Sequence, residues 1–345
     1  MRVIQKDFLV PAHEAGKQQC HASTLLALPA GDLLVAWFAG PGEGQPGTAI
    51  WLTRRRQGHW LPPQRVVAGG ATAHWNPVLF SSQGELWLFF KTGESVHVWR
   101  TYYIRSSDEG SRWSAPKELV PGDPLPRGPS KNKLLITQDG TWVAPGSVET
   151  DGKWDAFVDC SHDNGKSWTL SPIPLVHQRS RPVQAAVPWP GLDRGVFWHK
   201  DVRKVLHWDG VIQPSLWESA PRHLHLLMRS TRGWLYRSDS TDNGSTWTEA
   251  YATSVPSNNS GIDLVKMDTG ALALVYNPVK GNWGARSPLT LSLSADNGEH
   301  WTDQLDVETG EGEFSYPALI CVDGTLCLTY TWKRENIAFR ALRDT

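Results

Sequence analysis

Apolar residues along this chain come in short bursts, alternating with small or polar ones, and a turn signal cuts off each burst. The stretch CHASTLLALPAGDLLVAWFAG, residues 20–40, shows the pattern. Two alternating runs flank Pro29-Ala30-Gly31-Asp32, which predicts a buried β-hairpin. GELWLFFKTG, GTWVAPGS, HLHLLMRST, GALALVYN and GTLCLTYTW repeat the theme. No stretch carries the spacing of a long amphipathic helix. The chain reads as all-β, a meander of antiparallel strands.

Four segments recur between these bursts: SSDEGSRW at 106–113, SHDNGKSW at 161–168, STDNGSTW at 240–247 and SADNGEHW at 294–301. Each fits Ser-x-Asp-x-Gly-x-x-Trp. Asp and Asn close tight turns by bonding nearby amides, Gly accepts positive φ, and Trp folds back over the turn. The repeat is therefore structural. A damaged copy, TRRRQGHW at 53–60, lacks the Asp. Asp108 and Asp163 stand 55 residues apart, Asp242 and Asp296 54, and Asp163 and Asp242 79. About 50 residues is the size of a four-stranded propeller blade. The hairpins count out as second strands of six blades, and the strand around Val3 to Val10 is expected to complete the last. The expectation is a single six-bladed β-propeller domain over 1–345 with four intact repeats. The surplus in the 79-residue interval is expected to form a rim insertion at about 177–209.

Composition narrows the function. Lys and Arg number 34 against 35 Asp and Glu, a net charge of -1, which argues against nucleic acid as partner. No run is long and apolar enough to span a membrane, and MRVIQKDFLV lacks the features of a signal peptide. A cytoplasmic protein without membrane contact is expected. Cys20, Cys160, Cys321 and Cys327 are scattered without CxxC spacing, so neither a metal nor a cofactor is expected.

The Ser-x-Asp-x-Gly-x-x-Trp segments resemble the Asp boxes, or BNR repeats, of the sialidase (neuraminidase) superfamily, and the resemblance spans nearly the whole chain. Runs such as WNPVLF, KNK, IQPSLWE, NNSGIDLV and FSYPALI resemble its "predicted neuraminidase" branch. The resemblance implies a sialidase-like propeller and a glycan substrate. It implies carboxylate-binding roles for Arg229 in HLHLLMRST and Arg286 before SPLTLSLSADNG, because a guanidinium fork matches a planar carboxylate. It implies a nucleophilic role for Tyr316 in GEFSYPALI. Three positions depart from the family. His21 stands where the first arginine is expected, and Gln213 where the tyrosine's glutamate partner is expected. Glu43 is the only carboxylate on the loop GPGEGQPGTAI, where the acid aspartate is expected.

Propeller topology gathers further residues at the mouth opposite the boxes. His21, His74, Asn76, Lys131, Lys133 and Gln213 are expected there, with Arg229, Asn259, Asn277, Tyr316 and Arg334. Glu149 and Glu313 join them, and Trp75 lines the funnel as a stacking surface for sugar faces. A neutral imidazole at His21 could take or give a proton, which an arginine cannot. The leading reading is an exo-acting glycosidase releasing a terminal acidic sugar, sialic or uronic, from an oligosaccharide or polysaccharide. Tyr316, Glu43 or Glu149 would then act at the anomeric centre. A second is a polysaccharide lyase acting on a uronic acid, with His21 and Tyr316 as base and acid. A third is a carbohydrate-binding propeller that has lost its chemistry.

Overall fold

The computed structural model describes residues 1–14, 18–150, 152–178 and 208–344. The insertion expected at about 177–209 lies almost wholly outside them. The strands form three four-stranded sheets, one of five strands and one of eight, and none closes on itself. The eight-stranded sheet is two meanders joined by parallel pairing of Lys153–Ser161 with Asp209–Ala220.

Taken meander by meander, the first strands are Gln19–Ala27, Ala73–Ser82, Leu135–Ile136, Asp209–Ala220, Asp263–Lys266 and Phe314–Val322. The last meander takes its outer strand from the other end of the chain, because Arg2–Phe8 pairs antiparallel with Asn336–Arg343. Six buried apolar clusters lie between neighbouring meanders. Leu34 and Leu88 share one between the first and second, and Phe89 and Trp142 one between the second and third. Val158 with Leu226, Leu235 with Leu274, and Val275 with Leu328 continue the series. Val35 with Phe339 brings the last meander back against the first. Near-continuous burial along strands such as Leu33–Gly40 follows from this two-sided packing.

The four repeated segments fold alike. In each, the Ser Oγ accepts from the Gly amide (Gly110, Gly165, Gly244 and Gly298, 2.8–2.9 Å) and donates to the Asp. The indole Nε1 of Trp168, Trp247 and Trp301 donates back to the Gly carbonyl, whereas Trp113 Nε1 has no hydrogen-bond partner among the described residues.

Each meander also begins with a left-handed residue other than glycine: Ala22, Asn76, Lys131, Gln213, Asn259 and Tyr316, with φ between 45° and 73°. Four of them sit in β-bulges where the register slips. A bulge re-aims a side chain out of the pleat. Four of the six meet, because Arg229 bonds Gln213, Asn259 and Tyr316, and a Cβ at Gly261 would touch both Tyr316 and Lys131.

Candidate active site

Tyr316 lies at the bulge that opens Phe314–Val322, with φ 53°. That conformation is a genuine outlier for a bulky residue and persists only where packing over-determines it. Its ring lies 4.1 Å from the His21 imidazole, and the guanidinium carbons of Arg229 and Arg286 lie 5.7 and 5.6 Å from its centroid. Gly261 presses on it from another side. A Cβ there would meet Tyr316 Cγ at 3.1 Å and Lys131 Cε at 3.2 Å, which accounts for the glycine of NNSGIDLV.

Arg229 ends the strand His223–Ser230 and is 2% exposed. Its Nε donates to Asn259 Oδ1 (3.0 Å), its Nη2 to the Asn259 carbonyl, and its Nη1 to Gln213 Oε1 (3.2 Å) and Tyr316 Oη (2.7 Å). Trp154 and Trp283 stack at 5.4 and 5.9 Å from the guanidinium carbon. Asn259 and Gln213 thus aim the arginine at the phenol.

Glu313 holds a second pair of cations. It accepts from Arg286 Nη1 (2.5 Å), Arg334 Nε (3.2 and 3.3 Å) and Ser315 Oγ (2.7 Å). Burial alone would raise its pKa, but Arg286 and Arg334 overcome that and hold the carboxyl well below the usual range. Arg334 Nη1 also donates to Glu43 Oε2 at 2.6 Å. Among the described residues, Arg286 Nε and Nη2 and Arg334 Nη2 have no acceptor. These cations retain donors that an anion can use.

His21 is fully buried, with Nδ1 2.9 Å from Thr331 Oγ1 and 4.0 Å from Glu313. Burial, then the charge of Arg334, depress its pKa well below 6.5, and Glu313 opposes them; the imidazole is neutral at pH 7. Among the described residues its Nε2 has no hydrogen-bond partner. Glu149, on Trp142–Thr150, is also buried; burial pushes its carboxyl up to about 7, Arg229 opposes, and Glu43 adds to the rise.

Several expected mouth residues do other work. Lys131 Nζ is spent on Asn132 and on the carbonyls of Ile262 and Pro317 (2.5 Å each). Lys133 Nζ pairs with both oxygens of Asp263 (2.8 and 2.7 Å), which also takes Ser215 Oγ and the Leu319 amide. Both lysines tie first strands together across the middle, so neither offers a free cation to a ligand. Asn277 bridges the carbonyls of Pro288 and Phe314. Trp75 is 2% exposed and packs edge-on against Trp99 at 5.7 Å, so it is core and not a stacking wall. Asn76 is buried beside it, and His74 Nε2 bonds the Ala68 carbonyl. Sequence reasoning missed the flanking pair Trp154 and Trp283 and the clamp role of Glu313. Proximity of Glu313 to Tyr316 in GEFSYPALI was the one available signal.

Among the described residues no group of three or more His, Cys, Asp or Glu is arranged to hold a metal ion. A separate cavity of about 660 Å³, lined by Phe8, Trp37, Trp51 and Trp60, holds none of the residues above.

Residues 31–328 match the BNR repeat-like domain family. No curated protein matches the chain in sequence. Among solved structures, a Hadza microbial sialidase superposes with a TM-score of 0.75 at 18% identity, covering 98% of this chain and 68% of that one. A Dyadobacter fermentans protein of unknown function superposes with a TM-score of 0.73 at 13% identity, covering 100% and 99%. Trypanosoma rangeli sialidase gives 0.69 at 15% identity, with 99% of this chain covered but 58% of that one. At these identities the likeness is one of fold.

Proposed function

The chain belongs to the BNR repeat-like domain family, and on that premise we propose that it is an exo-acting glycosidase releasing a terminal acidic sugar from a glycan. The six meanders are read as blades of one propeller, and the four repeated turns as its Asp boxes. The observation that carries the proposal is Tyr316 Oη, 2.7 Å from Arg229, between that arginine and the Arg286–Glu313–Arg334 clamp.

The open edges of Arg286 and Arg334 bind the sugar carboxylate. Paired N–H donors match its two oxygens, and burial strengthens the attraction. Tyr316 Oη attacks the anomeric carbon as the glycosidic bond breaks, and water then cleaves the glycosyl–tyrosine bond, its proton passing to Glu149 while His21 returns the phenol's. Arg229 places a fixed positive charge on that oxygen, and neutral His21, its ring centre 4.1 Å from that of the phenol, is the base that receives the phenol proton. Glu149 is the acid for the departing glycosidic oxygen, since a carboxyl titrating near 7 still carries its proton at neutral pH. Glu43 anchors Arg334 and raises Glu149.

A specific observation favours a second reading. Gln213 meets Arg229 where a carboxylate is expected, and His21 is neutral beside Tyr316. That set suits β-elimination on a uronic acid, with arginine neutralising the carboxylate and His21 removing the C5 proton. A panel of sialosides and uronic-acid-capped oligosaccharides separates the two. Free sugar without new absorbance near 235 nm, lost in Tyr316→Phe, supports the glycosidase, and a rise in absorbance supports the lyase. Binding without either product overturns both.

A further inference from the structure

The fourth meander carries a second polar cluster remote from the first. Ser219 lies six positions beyond Gln213 on Asp209–Ala220, roughly 20 Å away at about 3.3 Å per residue. It is half-exposed and is the extra residue of a bulge between Glu218 and Ala220. Its Oγ is 2.7 Å from His225 Nε2, and His225 Nδ1 is 2.5 Å from Asp239 Oδ1.

The tautomer of His225 follows by two routes. A contact of 2.5 Å needs a proton between the atoms, and it outweighs the longer approach of Arg237 Nη2, which can only donate, to the same nitrogen at 3.2 Å. Burial works against the charge of Asp239, but bonds from His225, Arg237 (2.9 Å) and Tyr251 (2.8 Å) hold its carboxyl down at about 2, so the proton is on Nδ1. Independently, Trp217 Nε1 can only donate, and it bonds Asn297 Oδ1 at 2.7 Å. The Asn297 amino group then faces His225 Nε2, at 3.2 Å, so Nε2 carries the lone pair. The imidazole also stacks on Trp217 (5.0 Å, 26°), which fixes its plane.

We propose that Ser219 and His225, positioned by Asp239, form a second active site that hydrolyses small O-acyl esters. Ser219 Oγ adds to the ester carbonyl carbon as its proton passes to Nε2. The bond to the alcohol breaks, and the departing oxygen takes that proton back. Water, deprotonated by the same nitrogen, then cleaves the acyl-serine and restores the hydroxyl. Lys266 Nζ, on the carbonyls of Glu218 (2.8 Å) and Ser219 (3.3 Å), supplies positive charge beside the serine for a developing oxyanion. A short acyl group suits a half-exposed serine because it needs no enclosing pocket.

The test is labelling of the folded, full-length protein with a fluorophosphonate, the adduct mapped by mass spectrometry, alongside hydrolysis of p-nitrophenyl acetate. Ser219 is expected to be labelled, Ser219→Ala to lose both signals, and His225→Asn to slow labelling about 100-fold. Asp239→Asn is expected to slow labelling and move the midpoint of its pH profile downward, because the carboxylate that stabilises the imidazolium is gone. No adduct at Ser219 under conditions that label a control serine hydrolase overturns the proposal. So does an equal labelling rate in folded His225→Asn, or esterase turnover no greater than that of Ser219→Ala.

Discussion

Replacing Glu313 by glutamine keeps the shape of the site and removes its central charge. Glu313 is the shared partner of Arg286 (2.5 Å) and Arg334 (3.2 Å), with side chains 10%, 4% and 8% exposed. Removing one partner of a buried ion pair costs about 3–5 kcal/mol, because the remaining charge is left uncompensated. Arg334 keeps Glu43 at 2.6 Å, so the strain falls chiefly on Arg286 and the lower half of that range is expected. The pH dependence has a definite sign. The folded pKa of Glu313 lies below the unfolded value of about 4.5, so its stabilisation is fully present above that pH and fades as pH falls below it. Urea denaturation of wild type and Glu313→Gln at pH 7 and again near pH 3 measures both effects. The gap is expected to be about 3 kcal/mol at pH 7 and to narrow on acidification, with the slope against urea unchanged. A variant within about 1 kcal/mol of wild type at pH 7, or a gap that widens in acid, would refute the clamp.

Glu149 makes the opposite prediction. Its carboxyl titrates near 7 when folded against 4.5 unfolded, so between those values the unfolded state ionises and the folded state does not. Glu149→Gln is expected to gain roughly 3 kcal/mol above pH 7 and nothing below pH 4, read by the same titration, while losing turnover. In wild type, kcat/KM on a cleavable acidic glycan is expected to fall above pH 7 as the acid is lost, an alkaline limb that an activated aryl leaving group removes. Tyr316→Phe is expected to lower kcat by about 10² or more with little change in KM, because carboxylate binding rests on Arg286 and Arg334. Gly261→Ala drives a methyl onto Tyr316 and Lys131 and is expected to cost about 1–3 kcal/mol in denaturant melts.

Much of the fold was legible because its signals are local. Alternation of apolar residues marked the hairpins, and Ser-x-Asp-x-Gly-x-x-Trp marked four turns whose bonds close within a few residues. Arg229 and Tyr316 could be singled out for a related reason: each stands near a strand end beside a recognisable run. The partners of Lys131 and Lys133 were not legible, because an ammonium can be satisfied by carbonyls and a carboxylate contributed by residues about 130 or more positions away, which leave no trace nearby. Trp75 was misread because its apolar surroundings come from a different hairpin, through Trp99. The runs WNPVLF and KNK share a backbone feature. Asn76 and Lys131 hold the left-handed conformation with which each meander begins.

The pairing of Arg2–Phe8 with Asn336–Arg343 has a consequence for the order of events in the cell. Arg2–Phe8 leaves the ribosome long before it can find its partner, because that partner is made more than 300 residues later. Joining such distant segments carries a large loop-closure entropy, and contacts of that separation slow folding. Until they join, the edge of Asn336–Arg343 stands open, an invitation to pair with another chain. That open edge is therefore the one a chaperone, or a neighbouring copy, has most time to notice.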